Sequence, residues 1–207
     1  MKLTFLILAS TALLCPPAGA EEVSGGLKLG LNITDFVGSD AGSSKIQKTG
    51  FIGGGYLVFP VHPQVKVQAE CLISQKGAIY KWAVLDTVYE QIVRLTYLEI
   101  PVLARFDIKT RGGAKPAILV GPSFGIKISS KAESRSIGVS STGTIDNIKA
   151  FDPGITLGGA VDVETGKGKV SLEARYTRSL VTISEKVGGE TADVKNSAVS
   201  VMLGYRF

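Results

Sequence analysis

The sequence predicts an all-β fold, a closed antiparallel up-and-down barrel of about eight strands. Three observations support this prediction. Apolar residues alternate with polar, charged or small residues at a period of two along most of the chain, and no segment shows a helical period. The number of predicted strands is even, because one less regular segment joins the seven that alternate clearly. The connections between them are alternately long and short, as they are when successive hairpins close a barrel.

Seven segments alternate clearly, and each has one apolar face. In chain order they cover residues 26–34, 65–76, 96–106, 116–128, 154–163, 169–179 and 199–207. Their apolar faces consist, in the same order, of Leu27, Leu29, Leu31 and Ile33; Val65, Val67, Ala69, Cys71 and Ile73; Leu98, Ile100, Val102, Ala104 and Phe106; Ile118, Val120, Phe124, Ile126 and Ile128; Ile155, Leu157, Val161 and Val163; Val170, Leu172, Ala174 and Tyr176; Val199, Val201, Leu203, Tyr205 and Phe207.

The eighth predicted strand, residues 50–59, is less regular because both of its faces are apolar or glycine. We assign Phe51, Leu57 and Phe59 to the outward face. The glycines of "GFIGGGY" could suggest a phosphate-binding loop, but no helix and no Lys-Ser/Thr pair follow them. Glycines in a crowded strand are the simpler interpretation.

The predicted connections are rich in glycine, serine and charged residues where they are long, which is typical of solvated loops. The long ones are residues 35–49, 77–91, 129–149 and 181–194, and the shorter ones are residues 60–64, 107–115 and 164–168.

The first residues have the pattern of a secretory signal peptide. Lys2 is followed by a short apolar run, and "AGA" at residues 18–20 is a small-residue cleavage site. We therefore expect a signal peptide at residues 1–20 and one barrel domain at residues 21–207. Cys15 allows a lipoprotein interpretation, but Leu14 stands where a small residue is expected. Cys71 would be the one cysteine after cleavage, so no intrachain disulfide is expected.

Charge and residue types exclude several function classes. Without Lys2 the formal net charge falls from +5 to +4, and the basic residues are scattered, so nucleic acid is not an expected partner. The single histidine, His62, lies in the turn "PVHPQ". The long loops contain no clustered carboxylates. We therefore expect no catalytic residues, no metal ligands and no cofactor.

Two kinds of barrel fit the alternation. In a soluble, lipocalin-like barrel the apolar face points inward around a ligand. In a transmembrane β-barrel it points outward to lipid, and polar side chains fill the interior. The other face of the strands mixes both signs of charge with many small residues, which favours a narrow packed lumen. We expect a lumen charge network of Glu70, Glu99, Arg105, Glu173 and Arg175, with Glu99 and Arg175 interacting.

Four stretches resemble a known family. "YLEIPVLARF" at residues 97–106, "ECLISQKGA" at 70–78, "ARYTRSL" at 174–180 and the terminal "LGYRF" are similar to the PorT-type outer-membrane β-barrel family, often called porin family proteins. The resemblance covers residues 21–207, and "YLEIP" is its most specific part. It implies a barrel of about eight strands in the outer membrane of a Gram-negative-type bacterium, and it assigns no activity.

The resemblance also implies a role for the last strand. A final strand ending in an aromatic residue looks like the signal that the outer-membrane assembly machinery recognises, here Tyr205 and Phe207. We expect both termini in the periplasm and lipid around the barrel. The expected function is a non-enzymatic barrel with a structural or interaction role, meeting a protein partner through its extracellular loops. A narrow pore for small solutes and the soluble ligand-binding barrel remain as alternatives.

Overall fold

The computed structural model describes residues 22–207, except residues 43, 86, 137–138 and 187–188. The signal peptide expected at residues 1–20 lies outside the described residues. No helix in the described part of the chain is long and apolar enough to cross a membrane.

The described residues form nine strands in one sheet. They are β1 (Ser24–Val37), β2 (Lys45–His62), β3 (Val65–Val84), β4 (Thr87–Asp107), β5 (Ala114–Ser136), β6 (Val139–Thr144), β7 (Phe151–Thr165), β8 (Gly168–Ser179) and β9 (Lys195–Arg206). Eight of them form a closed ring, because β1 pairs with both β2 and β9, and β5 pairs with both β4 and β7. Strand β6 pairs with the end of β5 above β7. The predicted antiparallel up-and-down barrel of eight strands is confirmed.

The apolar face of each barrel strand points outward. Leu27 and Leu203 are 63% and 57% exposed, whereas Lys28 and Met202, one residue away in each strand, are 3% and 1% exposed. In β2, Phe51 and Leu57 are exposed and Phe59 is half-buried, opposite the buried side chains of Ile52, Tyr56 and Val58. An outward apolar face is the arrangement of a barrel in lipid, so the soluble lipocalin-like alternative is wrong.

The short connections and both described chain ends lie at one end of the barrel, here called the turn end. It contains the turns at 63–64, 108–113 and 166–167, and a backbone hydrogen bond of 3.1 Å from Phe207 N to Gly25 O. The opposite end, with the remaining connections, is the loop end.

Strands β3, β4 and β5 extend beyond the barrel at the loop end, in regions where the sequence predicts loops. β3 continues to Val84 and β4 begins at Thr87, so most of the predicted loop at 77–91 is a hairpin. Likewise, β5 continues to Ser136 and pairs with β6 inside the predicted loop at 129–149. One face of its first residues packs on apolar side chains at the barrel mouth, and the rest of it meets solvent or other loops, so its strands need no continuous apolar alternation. We call residues 77–84, 87–95, 129–136 and β6 the sheet extension.

Candidate functional site

Four buried charged side chains form a closed ring in the middle of the lumen. Lys28 on β1 donates to Glu70 on β3 at 2.9 Å and to Glu173 on β8 at 2.6 Å. Arg175 on β8 contacts the same two carboxylates, at 2.8 Å for Glu70 and 3.4 Å for Glu173. Each charge therefore has two neighbours of opposite sign, and the ring as a whole is neutral. We call it the central ring.

A second set of ion pairs lies towards the turn end. This turn-end cluster consists of Lys66, Arg105, Asp107, Asp162 and Arg206. Asp162 on β7 accepts from Arg105 at 2.8 Å and from Arg206 at 2.6 Å. Gln68 connects the cluster to the central ring, because it accepts from Arg105 at 3.3 Å and donates to Glu70 at 2.6 Å. Three cations and two anions give this cluster a formal charge of +1.

A third set lies towards the loop end and has the opposite balance. Lys76 on β3 pairs with Glu99 on β4, and its Nζ lies 4.0 Å from Asp152 Oδ2 on β7. Asn196 donates to the same Asp152 oxygen at 2.7 Å and to the hydroxyl of Tyr97 at 3.3 Å. One cation and two anions give this loop-end cluster a formal charge of −1, which offsets the turn-end cluster.

The structure places all five residues of the expected charge network inside the barrel. Glu70, Glu173 and Arg175 belong to the central ring, Arg105 to the turn-end cluster and Glu99 to the loop-end cluster. Glu99 and Arg175 form no direct ion pair, although their opposite charges lie close enough to interact at longer range. β3 lies beside β4, so Lys76 reaches Glu99, while Arg175 on β8 pairs with Glu70 and Glu173.

The expected network did not include several members of the three sets, namely Lys28, Lys66, Gln68, Lys76, Asp107, Asp152, Asp162, Asn196 and Arg206. The alternation of their strands places Lys28 and Gln68 on the inward face. This placement could have added them to the expected charge network. Asp152 was missed because β7 begins at Phe151, three residues before the predicted strand.

Apolar side chains fill the space between the charged groups. Ile52, Leu72 and Met202 form one buried cluster. Met202 also contacts the central ring, since Arg175 Nη2 lies 3.4 Å from its sulfur. Leu103, Ala117, Leu119 and Ala160 form another buried cluster. The interior of an eight-strand barrel is just wide enough for side chains to fill.

The loop end of the lumen is covered by a third apolar cluster, which we call the cap. Its buried members are Phe36, Ala41, Ala78, Val93, Leu95, Tyr97 and Ile183. Ile183 comes from the connection between β8 and β9 and is 1% exposed. Backbone hydrogen bonds of 2.7 and 2.8 Å hold it, from Lys149 N to Ile183 O and from Ile183 N to Val194 O. These hydrogen bonds hold the connections after β6 and after β8 over the barrel mouth.

The turn end is less covered. A recess of about 350 Å³ opens there beside Lys66, Arg206 and Phe207. Among the described residues, no three His, Cys, Asp or Glu side chains are arranged to hold a metal ion.

The two aromatic residues of the expected assembly signal point away from the lumen at the turn end. Tyr205 is 40% and Phe207 69% exposed, and their ring centroids lie 6.3 Å apart. This is the position of an aromatic girdle at a membrane boundary.

Comparison with known proteins identifies the family. The model of the family described as "Outer membrane protein beta-barrel domain" matches residues 18–185, which is most of the chain. Neisserial surface protein A and Ail, the attachment invasion locus protein of Yersinia pestis, are similar solved structures. Each has 14% identity and a TM-score of 0.46 and covers 90% of this chain and 100% of its own. The N-terminal β-barrel domain of Pseudomonas aeruginosa OprF covers the same shares with 10% identity and a TM-score of 0.34.

No curated protein sequence matches the chain. The family match and the outward apolar face of the barrel both indicate that lipid surrounds the protein. The chain belongs to the outer membrane protein beta-barrel domain family, and it is an integral β-barrel of a bacterial outer membrane.

Proposed function

We propose that this protein is a non-enzymatic, non-conducting barrel that acts through the surface at its loop end. The observation that carries the proposal is the contrast between the filled lumen and the exposed sheet extension. The lumen is occupied by three sets of ion pairs and covered by the cap. The sheet extension contributes Ala78, Val93 and Leu95 to the cap and continues beyond it, and all six residues of β6 are exposed.

The sheet extension supports an interaction role because it ends in an open edge. Among the described residues, β6 pairs with β5 alone, so its other edge presents backbone N–H and C=O groups. An exposed edge of this kind is a template for an added strand from a protein partner. The side chains of β6 are small or β-branched and uncharged, so they do not obstruct such pairing.

A catalytic role has no support in the lumen. The buried carboxylates there are held by lysine, arginine or asparagine side chains, and the cap separates them from solvent at the loop end. Buried groups in such mutual contacts stabilise a fold, and a structural role accounts for them.

A conductance measurement tests the non-conducting barrel against the narrow-pore alternative. Wild-type protein and Glu99→Gln are both expected to stay silent in planar bilayers, because side chains other than Glu99 still fill the lumen. Regular single-channel steps in the wild type that change in size in Glu99→Gln would establish the pore and contradict the proposal.

We propose that the loop end faces the outside of the cell and that both termini are periplasmic. Ser141→Cys, in a Cys71→Ser background, is expected to react with a membrane-impermeant maleimide on whole cells, since Ser141 lies on exposed β6. Gly166→Cys in the same background is the matched control. It lies in the turn between β7 and β8 with open space around it, and it should react only after the cells are broken. The reverse labelling pattern would invert the topology.

We also propose that the chain is of the PorT type within its family. The support is the "YLEIP" stretch, whose Tyr97, Glu99 and Pro101 point into the lumen while Leu98 and Ile100 point to lipid.

Tyr205 and Phe207 support a further proposal, recognition of the last strand by the assembly machinery. Phe207→Asp is expected to lower the amount of folded protein in the outer membrane more than it lowers synthesis. Val139→Asp is the control, because Val139 is equally exposed, at 69%, but lies in the sheet extension. Wild-type levels of assembled Phe207→Asp would show that the aromatic residue is not recognised.

A further inference from the structure

Basic side chains form a patch on the outward face of the sheet extension, where it leaves the barrel. The patch consists of Arg94 on β4 and Lys131, Glu133 and Arg135 on β5. Arg94 and Lys131 lie directly opposite each other in the β4–β5 ladder. The neighbours of Arg94 in β4, Val93 and Leu95, are buried in the cap, so Arg94 points away from the lumen axis. Three cations and one anion give the patch a formal charge of +2.

The patch follows directly after the lipid-facing band. Ile73, Leu98 and Ile126 occupy one row of the outward face, and Arg94 lies four residues further along β4. Four residues span about 13 Å along a strand, or about 9 Å along the axis of a barrel whose strands are tilted by about 45°. That row is not the edge of the apolar band, because Ile128, on the same face of β5, is 57% exposed. The headgroup region begins at the edge of the hydrocarbon core and is about 5–8 Å thick on each side. Arg94 and Lys131 therefore lie at the level of lipid headgroups.

Glu133 holds the two arginines of the patch in place. Its Oε2 accepts from Arg94 Nη2 at 2.8 Å, and its Oε1 accepts from Arg135 Nε and Nη2 at 2.6 Å. The hydrogen bond from Arg135 lowers the pKa of the Glu133 carboxyl below its ordinary value, so Glu133 is ionised at neutral pH. Each guanidinium has five N–H donors and uses one or two of them here. About half of each arginine side chain is exposed, at 52% and 49%, so the remaining donors can meet a ligand.

We propose that this patch binds the phosphate groups of an anionic membrane lipid at the loop-end surface of the bilayer. Arginine donors in a fixed arrangement match phosphate oxygens, and Lys131 adds a mobile ammonium group. The proposal needs only the insertion of the barrel in a membrane and does not depend on a protein partner or on the orientation of the loop end.

The test measures lipid binding by the full-length chain refolded in neutral detergent. Lipid A, a diphosphorylated lipid, is titrated, and native mass spectrometry counts the bound molecules. Removing the positive charges in Arg94→Gln/Lys131→Gln is expected to weaken binding about fivefold for each side chain. The control is Lys115→Gln/Lys167→Gln, which makes the same change of charge at exposed positions of the turn end. It is expected to leave binding within about twofold of wild type, because salt screens distant charges.

A single variant separates a binding role from a structural one. Glu133→Gln removes the anion that competes with phosphate, so it is expected to strengthen lipid A binding even though both arginine ion pairs are lost. A patch that only stabilises the sheet extension would show unchanged or weaker binding in this variant. A heat-modifiability gel on each protein shows whether it is folded, and Lys131→Gln alone serves if the double variant does not fold.

Three results would overturn the proposal. Equal loss of lipid A binding in the two double variants would show that total charge alone is sensed. Weaker or unchanged binding by Glu133→Gln would assign the patch a structural role. Displacement of lipid A by an equal concentration of inorganic phosphate would assign the site to a free anion.

Discussion

Glu70→Gln is expected to destabilise the barrel by about 3–5 kcal/mol, the usual cost of removing one partner from a buried ion pair. Glu70 accepts from Lys28 at 2.9 Å, from Arg175 at 2.8 Å and from Gln68 at 2.6 Å, and none of its side chain is exposed. Without its charge, Lys28 and Arg175 share Glu173 alone, and the central ring carries an uncompensated positive charge. Urea unfolding in lipid vesicles measures the loss.

Glu164→Gln is the matched control for this change. Glu164 pairs with Lys115 at 2.7 Å, but the two side chains are 53% and 49% exposed. An exposed pair contributes about 0–1 kcal/mol, so the same chemical substitution should have little effect there. A similar loss of stability in both variants would show that burial of the central ring does not matter.

A second substitution in the same protein should restore part of the stability. Lys28→Met removes the cation that Glu70→Gln leaves in excess, so the double variant keeps one balanced pair of Glu173 and Arg175. The two losses are therefore expected to be less than additive. Strictly additive losses would mean that Lys28 and Glu70 do not interact in the folded barrel.

The barrel itself could be predicted from the sequence because lipid imposes a simple constraint. Every outward residue must be apolar in the spanning part of a strand, so the period of two is visible in one sequence. Leu27 to Ile33 and Val199 to Phe207 show it without interruption, and both faces were assigned correctly. Even in β2, where the pattern is weak, the large side chains Phe51 and Leu57 pointed to the correct face.

The partners inside the lumen could not be predicted in the same way. The alternation tells which residues point inward, but the contact between two of them depends on strand register and on the positions of strands across the barrel. Lys76 meets Glu99 because Lys76 lies on β3 and Glu99 on the adjacent β4. Arg175 meets Glu70, a residue on β3, although β8 and β3 are not neighbours in the ring. No local pattern in the sequence encodes this second kind of contact.

The sheet extension and the cap were missed for a different reason. Outside the membrane both faces of a strand can be polar, so residues 129–136 have the composition of a loop although they pair with β4 and β6. Ile183 lies in a polar segment, and its burial depends on backbone hydrogen bonds to residues from two other parts of the chain. Long-range contacts of this type leave no periodic signal.

The loop-end cluster provides a final prediction that separates the two candidate partners of Glu99. Lys76→Met is expected to cost more stability than Glu99→Gln. The first change leaves two buried carboxylates, Glu99 and Asp152, without a cation, whereas the second leaves Lys76 with Asp152 at 4.0 Å. Double-mutant cycles by urea unfolding should give a coupling of about 0.5–3 kcal/mol between Lys76 and Glu99, the range for residues in contact. The cycle between Glu99 and Arg175 should give a smaller coupling, since Arg175 pairs with Glu70 and Glu173. A larger coupling for Glu99 with Arg175 than with Lys76 would contradict this arrangement of the loop-end cluster.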